Sequence, residues 1–439
     1  MLDIKFIHEN EKKLKEAILN KGVNLNLDEL LVLDERRVGI LTKIEKLNKE
    51  KNELNDRMKS GDADKKEIIK KGKEIKEKIA KLEPTYKKIK DAYEELMVRV
   101  PQIPSEDTPI GISEEENVEI YRTPNIPKFD FIPKTHIELG QDLDILNLEK
   151  GAKVCGYRGY YIKNEGVSLM MAFMLYAINK MIEKGYAPMI PPTVVKDFAL
   201  FGSGYFKGKD YDPEVDEIYE MATKGKESDG SHCKEKKFLV GTAEPSILAY
   251  YSDEVLKEES LPLRLCGYSQ CYRSEIGSYG KDTRGIYRVH EFMKVEQIII
   301  TKADKEESNK LQQEMVEISK EMHEELGLPY RQIQVCTGDM GAGKYKMFDI
   351  EAWMPGMDRF GETGSASNFL DWQSRRLNVK YKDKEGNKKF VYMLNNTALP
   401  SPRIFISILE NYQQADGSVK IPEILKKYLP AGLEVIKRK

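Results

Sequence analysis

The sequence predicts an α+β protein in two parts: an N-terminal antiparallel coiled-coil hairpin, then a domain built on an antiparallel sheet flanked by helices. Three observations predict it. Residues 1–110 are densely charged with a helical apolar period, prolines crowd the stretch after Val100, and short alternating segments then recur between helical ones. With 439 residues, 40% of them hydrophobic, the chain can bury one sizeable core and something smaller.

The hairpin comes first. Apolar and tolerated positions step by three and four through Leu33, Arg37, Ile40, Ile44, Leu47, Lys51, Leu54 and Met58. A polar break, SerGlyAspAlaAsp at 60–64, follows. The pattern resumes as Ile68, Gly72, Ile75, Ile79, Leu82, Tyr86, Ile89, Tyr93, Leu96 and Val100. A heptad seam on each side of so short a turn makes the two helices, at about 28–100, run back along each other. About thirty residues each, at ~1.5 Å per residue, give an arm of roughly 45 Å. Arg37 and Lys51 on the seam are expected to snorkel. Pro84 is expected to bend the second helix, since it lacks an N–H and crowds the preceding turn. Lys59, Lys65 and Lys66 near the tip are candidates for RNA phosphate contact; the alternative for each is a solvated surface lysine.

Pro101, Pro104, Pro109, Pro124, Pro127 and Pro133 mark a linker that divides residues 1–110 from 111–439. Beyond it, a helix at about 166–184 ends at Gly185 and hands over to a strand stopped by Pro191 and Pro192. Strand-like alternations follow at 263–272, 286–300, 330–336, 346–353 and 389–394, with helices at 304–326 and 402–414. The polar, Gly-bearing segment 207–237 reads as a mobile surface excursion, and His232-Cys233 within it find no local partner for a metal.

Composition narrows the partners. A third of the residues are charged, yet the formal net charge is only -2, so any RNA contact must come from a local face or arm, and DNA is not expected. Cys155, Cys233, Cys266, Cys271 and Cys336 form no CxxC pair, and the strand-like flanks of Cys266 and Cys271 favour buried thiols over a metal clip. An odd cysteine count, no signal peptide and no bilayer-spanning apolar run predict a cytoplasmic protein without a membrane partner. No GxGxxG or GxxxxGK[ST] phosphate loop occurs, so any ATP binds through another architecture.

The chemistry gathers in residues 271–296, CYRSEIGSYGKDTRGIYRVHEFMKVE. Arg273, Arg284 and Arg288 share this span with Glu275, Glu291 and Glu296, around a Gly-bearing loop. Guanidinium meets phosphate bidentately, and carboxylates on the same hairpin can hold a divalent metal or an amine. A salt-bridged surface hairpin remains the alternative, and Phe292 is either a core residue or a plate for a base. His290, alternating within the strand, reads as a structural side chain.

This segment closely resembles motif 2 of class II aminoacyl-tRNA synthetases, in the form used by the common bacterial and eukaryotic type of seryl-tRNA synthetase. Gly185-Tyr186 through Pro191-Pro192 resembles motif 1, the dimer-forming element. Thr242-Ala243-Glu244 matches the family's TxE serine-binding triplet. GlyAspMetGly at 338–341, EAWMPG at 351–356 and GETGSASNFLDWQSRR at 361–376 resemble the stretch before motif 3, and residues 394–403 resemble motif 3 itself. With the hairpin, the resemblance spans essentially the whole chain.

The resemblance implies a class II catalytic domain at 111–439 behind a tRNA-binding domain at 1–110. It implies ATP-dependent, Mg²⁺-assisted activation of L-serine to seryl-adenylate and transfer to the 3′ end of tRNA(Ser), with tRNA(Sec) as a second candidate, by a homodimer. By the same resemblance Arg273 bridges the α-phosphate and the serine carboxylate, Ser274 and Glu275 meet the nucleotide, and the backbone at Val289 and the ring of Phe292 serve the adenine. Arg403 covers the other adenine face near the γ-phosphate. Glu362 and Ser365 hold Mg²⁺, with Thr363 and Gly364 beside the ATP phosphates; Arg273, Glu362 and Arg403 form the catalytic set. Thr242, Ala243, Glu244 and Glu296 read the serine amine, and Asn395 and Thr397 sit by its hydroxyl. The chain departs from the family pattern at Pro400 and Pro402, where small residues are usual, and at Gly361 and Gly364, where Arg and Ser are usual. Amino acid:carrier-protein ligases on the same core lack the hairpin present here, and a non-catalytic RNA-binding relative would be expected to lose some of the charged set, which is intact.

Overall fold

Leu27–Ser60 (α3) and Lys65–Met97 (α4) form the two long helices, packed on each other along the expected seam. In this computed structural model the described residues are 1–60, 65–222, 225–226, 228–231, 235–276, 284–430 and 432–438, so the turn at 61–64 lies outside them. Ile44, Ile68, Ile75 and Ile79 are buried, and the remaining seam positions are half-buried except Met58 near the tip and the buried Val100. So narrow a stripe suffices for two helices and leaves their other faces to water. α4 continues through Pro84. Arg37 departs from the expectation: its guanidinium lies 4.6 Å from the Tyr93 ring centroid and donates to Asp34 at 2.6 Å, so it is pinned rather than snorkelling.

Ile4–Glu9 (α1) and Glu11–Asn20 (α2), absent from the sequence expectation, pack at the base of the arm. There Leu2, Ile7, Leu14, Leu30, Met97 and Val100 bury against Phe369 and Trp372 of the following domain. Polar clamps reinforce this joint. Trp372 Nε1 donates to the Val100 carbonyl at 3.0 Å, and Arg376 donates to the carbonyls of Val98 at 2.6 Å and Phe201 at 2.8 Å. Lys21 adds bonds to the Ala342 carbonyl at 3.1 Å and the Lys344 carbonyl.

The second part is built on eight strands: β1 (Val118–Arg122), β2 (Ala187–Met189), β3 (Leu263–Tyr272), β4 (Glu291–Thr301), β5 (Tyr330–Gln334), β6 (Lys346–Met354), β7 (Arg359–Asn368) and β8 (Tyr392–Pro400). Their spatial order is β1-β5-β6-β7-β8-β4-β3-β2, antiparallel except for the β2–β3 edge pair. Around the sheet lie α5 (His136–Asp142), α6 (Leu148–Cys155), α7 (Glu165–Glu183), α8 (Asp197–Ser203), α9 (Glu244–Tyr250), α10 (Lys305–Glu325), α11 (Trp372–Leu377) and α12 (Ser401–Asn411). Alternation along β4 separates two layers. Val295 and Ile299 join the main core with Phe173, Met315 and Phe405 of α7, α10 and α12; Ile298 and Ile300 join a second core with Ile247 and Leu377. The second face is also where the site forms.

Three expectations change. β4 begins at Glu291 rather than 286, leaving residues 284–290 as non-strand backbone. The alternation at 389–394 divides between Lys388–Phe390, in a small separate sheet, and β8, while β7 was not anticipated as a strand. Segment 207–237 is more than a surface excursion: Phe206, Ile218 and Phe238 are buried together with Leu200, and Tyr219–Glu220 and Lys237–Leu239 pair in a sheet with Val194–Lys196. His232 and Cys233 lie outside the described residues. Cys266 and Cys271 are both buried thiols, as expected, and being five residues apart on one strand they point to opposite faces; burial pushes the Cys266 thiol up to about 11.

The joint at the base of the hairpin generates a stability test. Trp372→Ala removes an aromatic side chain shared by both parts and should cost about 3–5 kcal/mol, read as a lowered midpoint of urea unfolding.

Candidate functional site

Three adjacent strands place the site. β4 presents Phe292, Lys294 and Glu296 at every second position, and β8 presents Asn395 and Thr397 in the same way. On β7, Glu362 and Ser365 are separated by an odd number and would normally face apart. Glu351 pairs with Glu362 but Ile350 pairs with Gly364, so Thr363 is an extra residue, and this bulge returns Ser365 to the face of Glu362. The bulge is anchored from α10. His323 Nδ1 donates to the Ser319 carbonyl at 2.7 Å; burial pulls its pKa down to about 4, so Nε2 stays unprotonated and accepts from the Thr363 hydroxyl at 2.8 Å.

One end of the cleft is acidic and dry. Glu244, at the start of α9, is 5% exposed and accepts from Gln373 at 2.6 Å. Burial, with the nearby Glu296 charge adding to it, pushes the Glu244 carboxyl up to about 7. Glu296 is paired with the Lys294 ammonium at 2.5 Å, and the Thr397 hydroxyl lies between them, donating to Glu296 at 3.4 Å and accepting from Lys294 at 3.3 Å. The Thr242 hydroxyl, 1% exposed, has no protein partner among the described residues, an unmet need that a polar ligand can satisfy. Ala243 packs its methyl beneath Gly267, where a side chain on the glycine would overlap it.

The other end is cationic. The Arg273 backbone N–H bonds the His290 carbonyl at 3.0 Å, while its side chain donates to the Gly241 carbonyl at 3.4 Å and lies 5.4 Å from the Phe292 ring centroid. Phe292 is therefore a wall of the cleft as well as a neighbour of the core. Arg403, in the first turn of α12, donates to the Tyr287 carbonyl at 3.3 Å and the Glu362 carbonyl at 2.9 Å, pairs with the Glu362 carboxylate at 3.2 Å, and covers the Tyr287 ring at 4.4 Å. Burial alone would raise the Glu362 carboxyl, but the Arg403 and Arg273 guanidiniums hold it below the usual range. Behind it, burial and the Glu362 charge push Asp349 well up, and one of its oxygens has no partner among the described residues. Glu275 takes a positive φ of 55° and is gripped by Arg158 at 3.0 Å and Arg288 at 3.7 Å.

Arg273, Glu275, Val289, Phe292, Glu362, Thr363 and Arg403 line one pocket, and Glu244, Glu296, Asn395, Thr397, Glu362 and Ser365 line an adjoining cleft of about 1250 Å³. Ser274 stands beside them, its buried hydroxyl without a partner among the described residues. Gly364 leaves only 3.1 Å between a would-be Cβ and the Thr397 carbonyl, and a side chain at Gly361 would meet the Tyr287 ring at 2.8 Å. Pro400 and Pro402 form part of the pocket wall. Lys59, Lys65 and Lys66 stand exposed at the far end of the hairpin, apart from this cleft. His290 sits outside β4, its Nδ1 3.0 Å from both the Tyr219 hydroxyl and the Arg273 carbonyl, a structural setting.

Sequence reasoning missed Lys294, Tyr287, Arg158 and Asp349. Lys294 carried a signal, since it falls midway between Phe292 and Glu296 on one strand face. Arg158 and Asp349 reach the site only through tertiary packing and strand register. Among the described residues no three His, Cys, Asp or Glu side chains cluster as a metal site. Glu362, Ser365 and the orphaned Asp349 oxygen do form a set of hard oxygen donors suited to Mg²⁺ shared with a phosphate ligand.

The Glu244–Glu296 pair yields a direct test. In carbonyl-labelled protein the Glu244 carboxyl should titrate near about 7. Glu296→Gln removes a like charge and frees the Lys294 ammonium; both effects favour ionised Glu244, so the midpoint should fall.

Comparison with known proteins fits this geometry. Residues 1–104 match the seryl-tRNA synthetase N-terminal domain, and residues 226–412 match the tRNA synthetase class II core domain of the G, H, P, S and T group. The chain is 40% identical over 432 residues to a serine–tRNA ligase of Treponema denticola, covering 98% of each. A seryl-tRNA synthetase structure from Pyrococcus horikoshii complexed with ATP aligns over 100% of both chains with TM-score 0.86 and 34% identity. A cytoplasmic serine–tRNA ligase from Naegleria fowleri in complex with AMP aligns over 100% of this chain and 99% of its own, with TM-score 0.85 and 29% identity.

Proposed function

Because the chain belongs to the seryl-tRNA synthetase family, we propose a specific division of labour within the cleft. The enzyme activates serine with ATP and transfers it to tRNA(Ser). The observation that carries the assignment of roles is a single cleft with a buried carboxylate end and a cationic end, joined at Arg273.

Serine enters with its ammonium toward Glu244 and Glu296, the Thr242 hydroxyl and the start of α9 at Ala243 completing that wall. Its hydroxyl lies by Thr397 and Asn395. Lys294 holds Glu296 in place and keeps the pocket from carrying two unbalanced negative charges. ATP lies along the other end: adenine between Phe292 and Arg403, met by Glu275, Ser274 and the Val289 backbone, with the triphosphate toward Arg273. The Glu362 and Ser365 oxygens, with Thr363 and Gly364 alongside, hold Mg²⁺, which neutralises phosphate charge when bound.

The serine carboxylate attacks the α-phosphorus in line; the bond to the bridging oxygen breaks, and pyrophosphate leaves with seryl-adenylate in place. A terminal ribose hydroxyl of tRNA then attacks the serine carbonyl carbon, and AMP leaves. Charge develops on phosphoryl oxygens in the first step, and Arg273 faces them already fixed by the Gly241 carbonyl and Phe292, so little reorganisation is needed. Arg273→Ala should therefore slow serine-dependent ATP–pyrophosphate exchange by at least about a hundredfold, equivalent to ~3 kcal/mol, with an unchanged circular dichroism spectrum. Near-normal exchange would refute the role.

The exposed side chains Val167, Met171, Leu175 and Ile182 of α7 line up at helical spacing as an apolar stripe, which supports a homodimer through the segment resembling motif 1. Sedimentation at micromolar concentration should give the mass of two 50.5 kDa chains, and Leu175→Glu should shift it toward one. A cytoplasmic setting matches the soluble substrates, and no helix among the described residues is long and apolar enough to cross a membrane.

The hairpin is assigned to tRNA, with Lys59, Lys65 and Lys66 meeting phosphates and the long variable arm of tRNA(Ser) as the target. Shape reading of this kind extends to tRNA(Sec) and excludes DNA. Replacing residues 33–97 by a short Gly/Ser linker should leave pyrophosphate exchange within a few fold of the parent. It should also abolish most tRNA affinity together with its salt dependence. Equal damage to both steps in a folded dimer, or full aminoacylation without the arm, would overturn this division.

A further inference from the structure

We propose that His136 is a positioning residue for the nucleotide: fixed by Glu410 as the Nδ1–H tautomer, it accepts from the Ile286 backbone and thereby sets the segment that carries Tyr287 and Val289 to ATP. The inference rests on the reading of the cleft as an ATP site, yet His136 itself lies outside that cleft.

His136 opens α5 and Glu410 lies in the last turn of α12, with side chains 2% and 0% exposed. One Glu410 oxygen accepts from the His136 backbone N–H at 2.9 Å and from ring Nδ1 at 2.8 Å; the other accepts from the Gly356 N–H at 3.0 Å. Both Glu410 oxygens already act as acceptors and Nε2 faces a backbone N–H, so Nδ1 is the ring nitrogen that donates. The opposite nitrogen is left with its lone pair, and the Ile286 N–H points to it at 3.3 Å. A proton on Nε2 would set N–H against N–H at that place. The approach is close enough to exclude a side chain: Gly285 has φ +74°, and a Cβ there would lie 2.1 Å from Nε2.

The next residues are walls of the nucleotide pocket. The Tyr287 carbonyl accepts from Arg403 and its ring lies under the same guanidinium. Arg288 reaches Glu275, and Val289 completes the wall. A displaced Ile286 amide therefore moves Tyr287, and with Tyr287 the support of Arg403. The serine end is attached elsewhere, to α9, β4 and β8, so the two substrates should respond differently. A buried carboxylate–imidazole pair is a poor way to gain stability alone, since desolvation offsets its attraction; what it supplies here is a directed acceptor for one backbone N–H.

The test is steady-state serine-dependent ATP–pyrophosphate exchange by the full-length dimer. His136→Leu leaves the Ile286 N–H without its acceptor and takes the ring donor from Glu410, which keeps its two backbone donors; it should raise KM for ATP about tenfold or more, with KM for serine within about twofold of the parent. Unchanged KM for ATP, or equal rises for both substrates, would overturn the proposal. Should the leucine variant fail to fold, His136→Gln and His136→Asn decide the matter. Glutamine carries an acceptor oxygen to about the place of Nε2, whereas asparagine carries it only to about that of Nδ1, so glutamine should bring KM for ATP closer to the parent value. Glutamine no better than asparagine sinks the idea. A parent chain showing no serine-dependent exchange would instead refute the ATP reading on which this one rests.

Discussion

Side chains on a strand alternate between two faces, and the site depends on three neighbouring strands keeping that alternation in step. Phe292, Lys294 and Glu296 on β4 must face the same way as Asn395 and Thr397 on β8 and Glu362 and Ser365 on β7. A one-residue slip of any of these strands would send its share of the site into the apolar layer formed by α7, α10 and α12. The register is secured on that hidden side, where Val295, Ile299 and Leu394 lie in the main core. Two bulges adjust the register: an extra residue at Ala398 on β8 opposite Val295 and Glu296, and one at Thr363 on β7 that is tied down by a buried neutral histidine. Packing on one face is thus what makes chemistry possible on the other.

Charge is arranged along the cleft as deliberately as shape. At the acidic end burial holds Glu244 partly protonated at neutral pH, and Lys294 compensates Glu296, so the unliganded pocket avoids two bare anions in a dry place. At the cationic end Arg403 and Arg273 depress the Glu362 carboxyl and keep it ionised. A molecule with an ammonium at one end and a polyphosphate partner at the other replaces each of these internal compensations with its own charges. Binding and electrostatic stabilisation are then one arrangement seen at two stages.

Much of this was legible in the chain. The heptad seam of the hairpin and the antiparallel character of the sheet follow from period and composition, and the seam residues are buried or half-buried nearly one by one. The charged residues of the site were recognisable because they fall in dense local motifs. What escaped depended on distance in sequence. Arg158 meets Glu275 across 117 positions, and Asp349 reaches Glu362 only through the pairing of β6 with β7. Arg37 was misjudged because its aromatic partner, Tyr93, belongs to the other helix. Segment 207–237 was misjudged because three apolar residues, Phe206, Ile218 and Phe238, at and around an otherwise polar stretch are enough to bury part of it.

The hairpin is held to the rest of the molecule through its base, and its two helices meet on a stripe that repeats every seven residues. Adding or removing residues in one helix alone would rotate its stripe away from the other; only matched changes of about seven residues in both keep them together. Each such step alters the reach by roughly 10 Å. The arm therefore behaves as a ruler with coarse graduations. Its length can be adjusted over evolutionary time only in jumps of about two helical turns, and any finer fitting to a partner of different shape has to come from the tip or from the angle set by Trp372 and Arg376 at the root.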